Sequence, residues 1–337
     1  MWQIKPGDTN LTILCKTFEG LEEVLENELL EMGKQPERLK RAVQLTGNFS
    51  DVLMLNFKLR TALNVMVKVA EFKARNPDEL FKKAFDVDWH KFFDVNHTFA
   101  VSHTVRSEHF AHSQFAALKV KDAIVDRFKK EVFKRPSVDR EEADVVVHVR
   151  ISHDNVSLWF DTSGKALYIR GYKKVNGPAP LNEVLAAGLI KLTGWDLKQP
   201  VYNPMCGGGT LGFEAFMMAN QIAPSFNRSR FAYHALPWFN ADEEIRIQRE
   251  VKLIVSPPES FNVRFSDNDP RAVDAAKRNA SSFYGLGEPR MEFVQEDFFE
   301  TKSTGNKSLI LINPPYGERM EEADLIGFYK QIGNTLK

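Results

Sequence analysis

The chain has few cysteines: Cys15 and Cys206 in 337 residues. Two thiols cannot build a disulfide framework or a cysteine-based zinc site, and the count fits a reducing cytoplasm. Apolar runs of about 18 residues are missing, and the opening residues Met1–Pro6 show no basic segment followed by an apolar one. The expectation is a soluble, cytoplasmic protein with no membrane partner. Net charge is also missing, because 45 Lys and Arg balance 45 Asp and Glu. Overall charge therefore gives no argument for a nucleic-acid partner, and any basic surface must be a local patch. Neither an internal repeat nor a low-complexity segment interrupts the sequence.

What remains is an ordinary globular composition, 43% apolar and 27% charged, long enough for two or three domains. Phenylalanine is abundant, at 26 residues, so aromatic cores are expected. Leu11–Cys15 reads as a strand, with Cys15 in the core. Residues 18–32 read as a helix with Leu21, Leu25, Leu29 and Met32 on one face. A strand at Val43–Leu45, a helix from Ser50 and a strand at Ala62–Phe72 complete a β-α-β-α-β order, that of a small ferredoxin-like unit. A second unit follows. Asn76–Ala84 is helical, Thr98–Val105 a strand, and Gln114–Lys130 a helix with Phe115, Leu118, Val120, Ile124 and Phe128 inward. Asp144–Ile151 and Val156–Asp161 form a hairpin. Gly164, Gly171, Gly177, Pro178 and Pro180 mark a linker. After a helix at Leu181–Leu192, strands and helices alternate to the end, the pattern of a doubly wound, mostly parallel sheet. The expected boundaries are 1–72, 73–165, a linker and helix at 166–194, and 195–337.

The most informative segment is Asn313-Pro314-Pro315-Tyr316, directly after the apolar run Ser308–Ile312. Two prolines end a ladder rigidly. Such a loop holds the Asn313 side-chain oxygen and the Pro314 carbonyl as fixed acceptors, and Tyr316 adds a flat ring. Two acceptors and a ring suit a planar base with an exocyclic amino group. Alone, the four residues describe an ordinary strand exit.

A second constellation changes the balance. Asn203-Pro204-Met205-Cys206-Gly207-Gly208-Gly209-Thr210 joins the first strand and helix of the α/β unit. Its glycines allow close backbone approach, and the helix start offers N–H groups to an anion. The P-loop lysine is missing, and no acid stands about 20 residues on as a dinucleotide site requires. Asp267 ends the second strand, beyond an insertion at roughly 222–260, and Asp297 ends the third. This order suits S-adenosylmethionine (SAM): a carboxylate at the helix end, Asp267 for the ribose diol, Asp297 for the adenine amine and Phe298 for the adenine face.

Together these segments resemble a known family. Asn203–Thr210 resembles the first motif of class I SAM-dependent methyltransferases, and Asn313–Arg319 their amine-methylating motif. Ile169-Arg170-Gly171-Tyr172 with Ala179–Glu183 is similar to the linker joining a THUMP domain to such a catalytic domain. The likeness covers nearly the whole chain and is to the THUMP-containing guanine-N2 RNA methyltransferases. It implies an N-terminal ferredoxin-like plus THUMP α+β module that grips RNA and a Rossmann-like catalytic domain. It also implies catalytic roles for Asn313, Pro314, Pro315 and Tyr316. Cofactor binding would fall to Asn203, Met205, Gly207, Gly209, Thr210, Asp267, Asn268, Asp297 and Phe298. Ribosomal RNA is the implied partner, with transfer RNA the alternative. Arg106, His109, Lys119 and Lys121 are the candidate RNA contacts; His103, His109 and His112 sit in a polar loop suited to solvent or phosphate rather than a metal. Two departures stand out. Asn203 replaces the usual acid, removing a charge near the methionine amino group. The family's sheet continues with further strands beyond Lys337, so a truncated catalytic domain is expected. Adenine-N6 methylation uses the same Asn-Pro-Pro-Tyr logic, and a non-catalytic RNA-binding factor would retain the fold.

Overall fold

The strands of the first half bury apolar residues on both faces of their sheet: Ile13, Cys15, Val65 and Val67 on one, and a smaller cluster with Leu14, Met66 and Trp159 on the other. The computed structural model describes residues 2–3, 10–175, 180–251, 261–284, 290–301, 307–315 and 322–337. In chain order the first elements are β1 (Trp2–Gln3), β2 (Leu11–Lys16), α1 (Glu22–Glu31), β3 (Pro36–Leu39), β4 (Ala42–Gly47), α2 (Phe49–Lys58) and β5 (Asn64–Lys73). Then come α3 (Pro77–Phe85), β6 (Phe99–Arg106), α4 (Ser113–Val132), β7 (Val145–Ser152) and β8 (Asn155–Asp161). One sheet runs through all of them in the order β3-β4-β2-β5-β8-β7-β6, with β1 beside β5. Ile13 sits opposite Leu45 on one side and Val67 on the other, and all three are buried.

Three details differ from the sequence pattern. α1 begins at Glu22 rather than near residue 18, because Gly20 takes a left-handed φ of 92° and interrupts any earlier turn. The polar strand β3 pairs with β4 through a turn at Arg41; its exposed residues gave no apolar pattern. Phe115 is 47% exposed rather than inward. The buried stripe of α4 is instead Ala116, Ala117, Val120, Ala123, Ile124, Val125 and Phe128, whose small residues allow α3 and β6 to approach closely.

The second half contributes α5 (Glu183–Leu192), β9 (Val201–Asn203), α6 (Thr210–Ala219), α7 (Ala241–Val251), β10 (Val263–Asp267), α8 (Pro270–Ala280), β11 (Met291–Gln295), β12 (Leu309–Ile310) and α9 (Glu322–Thr335). Its four strands are parallel, in the order β11-β10-β9-β12. Chain order reverses between β9 and β12, so the crevice at their carboxyl ends is where such a sheet takes a ligand. β12 is two residues long, shorter than the apolar run Ser308–Ile312 that contains it.

The chain divides into two units: Met1–Leu167 with Arg228–Glu250, and Tyr168–Asn227 with Val251–Lys337. The insertion in the second half thus returns to the first unit. Arg228 donates to the carbonyls of Ser163, Lys165 and Ala166 at 2.7–2.9 Å. Phe231 lies against Phe57, and Trp238 against Phe49 and Phe92. Among the described residues no helix is long and apolar enough to cross a membrane.

Candidate active site

A cavity of about 300 Å³ opens at the carboxyl ends of β9, β10, β11 and β12. Each strand delivers one part of it. After β9 the chain turns through Met205 (φ 47°), Gly207 (φ 53°) and Gly209 (φ 85°) before α6 starts at Thr210. Gly209 could carry no side chain, since a Cβ would lie 2.5 Å from the Phe213 ring. After β10, Asp267 accepts from the Gly207 N–H at 2.9 Å and the Asp269 N–H at 3.0 Å, one on each oxygen. Its carboxylate is thereby locked against the glycine loop. After β11, Asp297 accepts from the Phe299 N–H at 2.9 Å and opens a short turn that places Phe298 in the cavity wall. After β12, which pairs with β9, Asn313 and Pro315 also line the cavity.

Most of the expected site residues therefore come together: Asn203, Met205, Gly207, Thr210, Asp267, Asn268, Asp297, Phe298, Asn313 and Pro315 all border one space. Gly209 stands just behind it as the residue before α6. Pro314 is half-buried in the same loop, and Tyr316 lies outside the described residues. The expected RNA contacts are in the first unit. Arg106 and His109 are exposed. Lys119 and Lys121 are half-buried and already face acids, Asp78 at 3.4 Å and Asp122 at 2.7 Å.

Asn203 is 1% exposed and does not present an unpaired amide to the cavity. Its Nδ2 donates to the Leu311 carbonyl at 2.7 Å, and its Oδ1 accepts from the Gly212 N–H at 3.1 Å. Cys206 is also buried; desolvation, then the Asp267 charge, pushes its thiol well above the usual range. A thiol held protonated is a poor nucleophile.

The sequence pattern did not reveal how the linker enters this site. Asn279 on α8 accepts from the N–H groups of Lys174 and Val175 at 2.8 and 3.0 Å, and donates to the carbonyls of Val175 and Gly208. One buried amide thus ties the linker to the glycine loop. The strap places Lys173 and Val175 in the cavity wall, and Lys173 pairs with Glu183 at 2.8 Å. Beneath it Arg170 and Tyr172, both buried, meet Glu214 of α6 at 3.3 and 3.4 Å. Only the polar character of Asn279 on an otherwise alanine-rich helix face hinted at this. Glu296 was also missed; it accepts from Tyr202 and Arg264 at the cavity rim.

Comparison with known proteins agrees along the chain. The description "RMKL-like, methyltransferase domain" matches residues 170–337, "THUMP domain" residues 74–161 and "RlmL ferredoxin-like domain" residues 12–66. The crystal structure of a possible methylase from Clostridium difficile 630 is 30% identical, with a TM-score of 0.85, and covers 97% of this chain and 86% of that one. The chain belongs to the THUMP-containing RMKL-like methyltransferases. A second solved structure of similar shape, SMU.472 complexed with SAH, is 26% identical with a TM-score of 0.85 over 97% of this chain and 86% of that one. Among curated RMKL-like relatives, the ribosomal RNA large subunit methyltransferase K/L of Psychromonas ingrahamii is 35% identical over 97% of this chain and 44% of its own length. The chain spans about half the length of the curated relatives it matches. As in the expectation for an RMKL-like methyltransferase, a ferredoxin-like and THUMP sheet precedes a Rossmann-like parallel one.

Proposed function

We propose that this chain transfers a methyl group from SAM to an exocyclic base amine in RNA, guanine N2 of large-subunit ribosomal RNA. The observation that carries this reading is the single cavity joining the glycine loop, Asp267, Asp297, Phe298 and Asn313. Its donor set fits the cofactor. The first turn of α6 suits a carboxylate. Each Asp267 oxygen holds one backbone N–H and keeps a lone pair for a ribose hydroxyl. Asp297, oriented by the Phe299 N–H, suits the adenine amine, and Phe298 its ring face. When bound, SAM supplies an electrophilic methyl group on a sulfonium.

The residues of the chain then do two things. Asn313 and the Pro314 carbonyl accept from the target amine and turn its lone pair toward the methyl group. That lone pair is delocalised into the ring, so orientation and acceptors for the developing charge matter most. No thiol participates, in keeping with the raised pKa of Cys206. The THUMP match, and the ribosomal RNA named for the K/L relatives, support RNA over DNA.

Asp267→Ala should weaken SAM binding roughly 10- to 100-fold, since charge-assisted hydrogen bonds contribute about 1.5–3 kcal/mol each. Calorimetry on the 337-residue chain measures this; unchanged affinity rejects the ribose assignment. Nucleoside analysis of RNA incubated with enzyme and SAM tests the product. N2-methylguanosine in ribosomal RNA is expected. The same product in transfer RNA, or N6-methyladenosine, would redirect the substrate assignment, and no product would favour a binding factor. RNA binding should also weaken steeply as salt rises, because phosphate contacts release counterions. A flat salt response counts against phosphate contacts.

A further inference from the structure

The β9–β12 ladder stops at a specific chemical obstacle. In this parallel pair the Leu309 N–H donates to the Pro200 carbonyl at 2.8 Å and the Leu311 N–H to the Tyr202 carbonyl at 2.9 Å. The next rung would run from the backbone N–H of residue 204 to the Leu311 carbonyl. Residue 204 is proline and has no N–H. Leu311 is 6% exposed, so an unpaired carbonyl there would be costly. The Asn203 Nδ2 fills the gap at 2.7 Å. The other end of the same carboxamide accepts from Gly212, in the first turn of α6.

We propose that Asn203 is a positioning residue whose amide replaces the ladder donor missing at Pro204 and so fixes the strand exit carrying Asn313. Leu311 is two residues before Asn313, with only Ile312 between them. One buried side chain therefore joins the two halves of the site: the start of the helix behind the glycine loop and the loop that would orient the target amine. The task needs a donor and an acceptor on one short side chain. An ionised aspartate offers two acceptors and would set an oxygen against the Leu311 carbonyl; only its protonated form could donate. In this loop Asn203 supplies both, the donor to the Leu311 carbonyl and the acceptor for the Gly212 N–H.

The catalytic consequence rests on the methyl-transfer reading above; the structural one does not. Asn203→Asp separates them. Around position 203 the ionisable groups are Tyr202 on β9, Cys206 in the loop, Glu214 paired with Arg170, and Asp267 after β10. Lys173, Glu296 and Asp297 complete the cavity wall. Burial and the neighbouring acids should hold the new carboxyl above its usual range. The protonated form is the one the fold favours. Its stabilisation is then complete below the unfolded pKa, about 4, and is lost as pH rises through the folded pKa. The melting temperature of Asn203→Asp should therefore fall progressively further below wild type between about pH 5 and 8.5. Turnover at pH 8.5 should drop roughly tenfold or more, and recover toward wild type as pH is lowered. SAM affinity by calorimetry should stay within about threefold, because the interaction lost belongs to the strand exit.

Asn203→Ala provides the uncharged comparison: a similar loss of turnover, with a melting difference that stays constant across pH. Tighter SAM binding by Asn203→Asp, with unchanged turnover and no pH-dependent melting difference, would overturn the proposal in favour of a cofactor-facing acid position. Should wild-type protein bind no SAM, the methyl-transfer reading fails, and the melting series alone still decides the role of Asn203.

Discussion

Asn313→Ala should lower single-turnover methyl transfer roughly 10²–10³-fold, the scale of losing one preorganised polar group at a reacting centre. SAM affinity and melting temperature should stay near wild type. The substitution removes one acceptor while Pro314 and Pro315 keep the path of the loop. Asn313 borders the same cavity as Asp267 and Asp297 but follows β12, at the other end of the sheet from β11 and Asp297, which sets it apart from the position expected for the cofactor's adenine. An interaction made mainly in the transition state lowers kcat and kcat/KM together. Wild-type rates in Asn313→Ala would falsify the catalytic reading. A parallel fall in SAM affinity and stability would instead make Asn313 a structural strand terminus.

The largest stability effect should come from Glu214→Ala. Arg170 and Glu214 are both fully buried, with the guanidinium Nε 3.3 Å from the carboxylate. Removing the acid leaves a buried cation and deprives the Tyr172 hydroxyl of its 3.4 Å acceptor. Breaking a buried pair in this way costs about 3–5 kcal/mol. Denaturant titration of the 337-residue chain, followed by a probe in the second unit, should register that loss. A change below about 1 kcal/mol would mean that solvent or a neighbour repairs the site. Because α6 carries both Glu214 and the turn that holds Asn203, the same variant should also weaken SAM binding.

Much of this was legible in the sequence for a physical reason. Strand–turn–helix units advertise themselves locally. The glycines at 207 and 209 mark left-handed backbone, Pro270 marks the first turn of α8, and the alternation of Val65, Val67 and Val69 marks a strand. The order of strand ends also anticipated that Asp267 and Asp297 border one cavity, because side chains at the carboxyl ends of parallel strands converge whatever lies between them. Local pattern failed where polarity concealed structure. β3 has too few apolar residues to read as a strand. Phe115 looked like a core residue, yet the close approach of α3 gave the buried positions to alanines.

By itself, the sequence determined the order of the apolar elements, the parallel sheet, the glycine loop and the strand exit at Asn313, all of which depend on neighbours within a few residues. Tertiary structure alone decided the partners separated by long stretches of chain. Residues 228–250 return to the first unit. Asn279 binds a linker more than a hundred positions earlier. Asn203, which in the sequence is a missing charge, supplies the donor that Pro204 cannot give to Leu311. A carboxamide carries a donor and an acceptor at once, and which groups it satisfies depends on what the fold brings within about 3 Å of it.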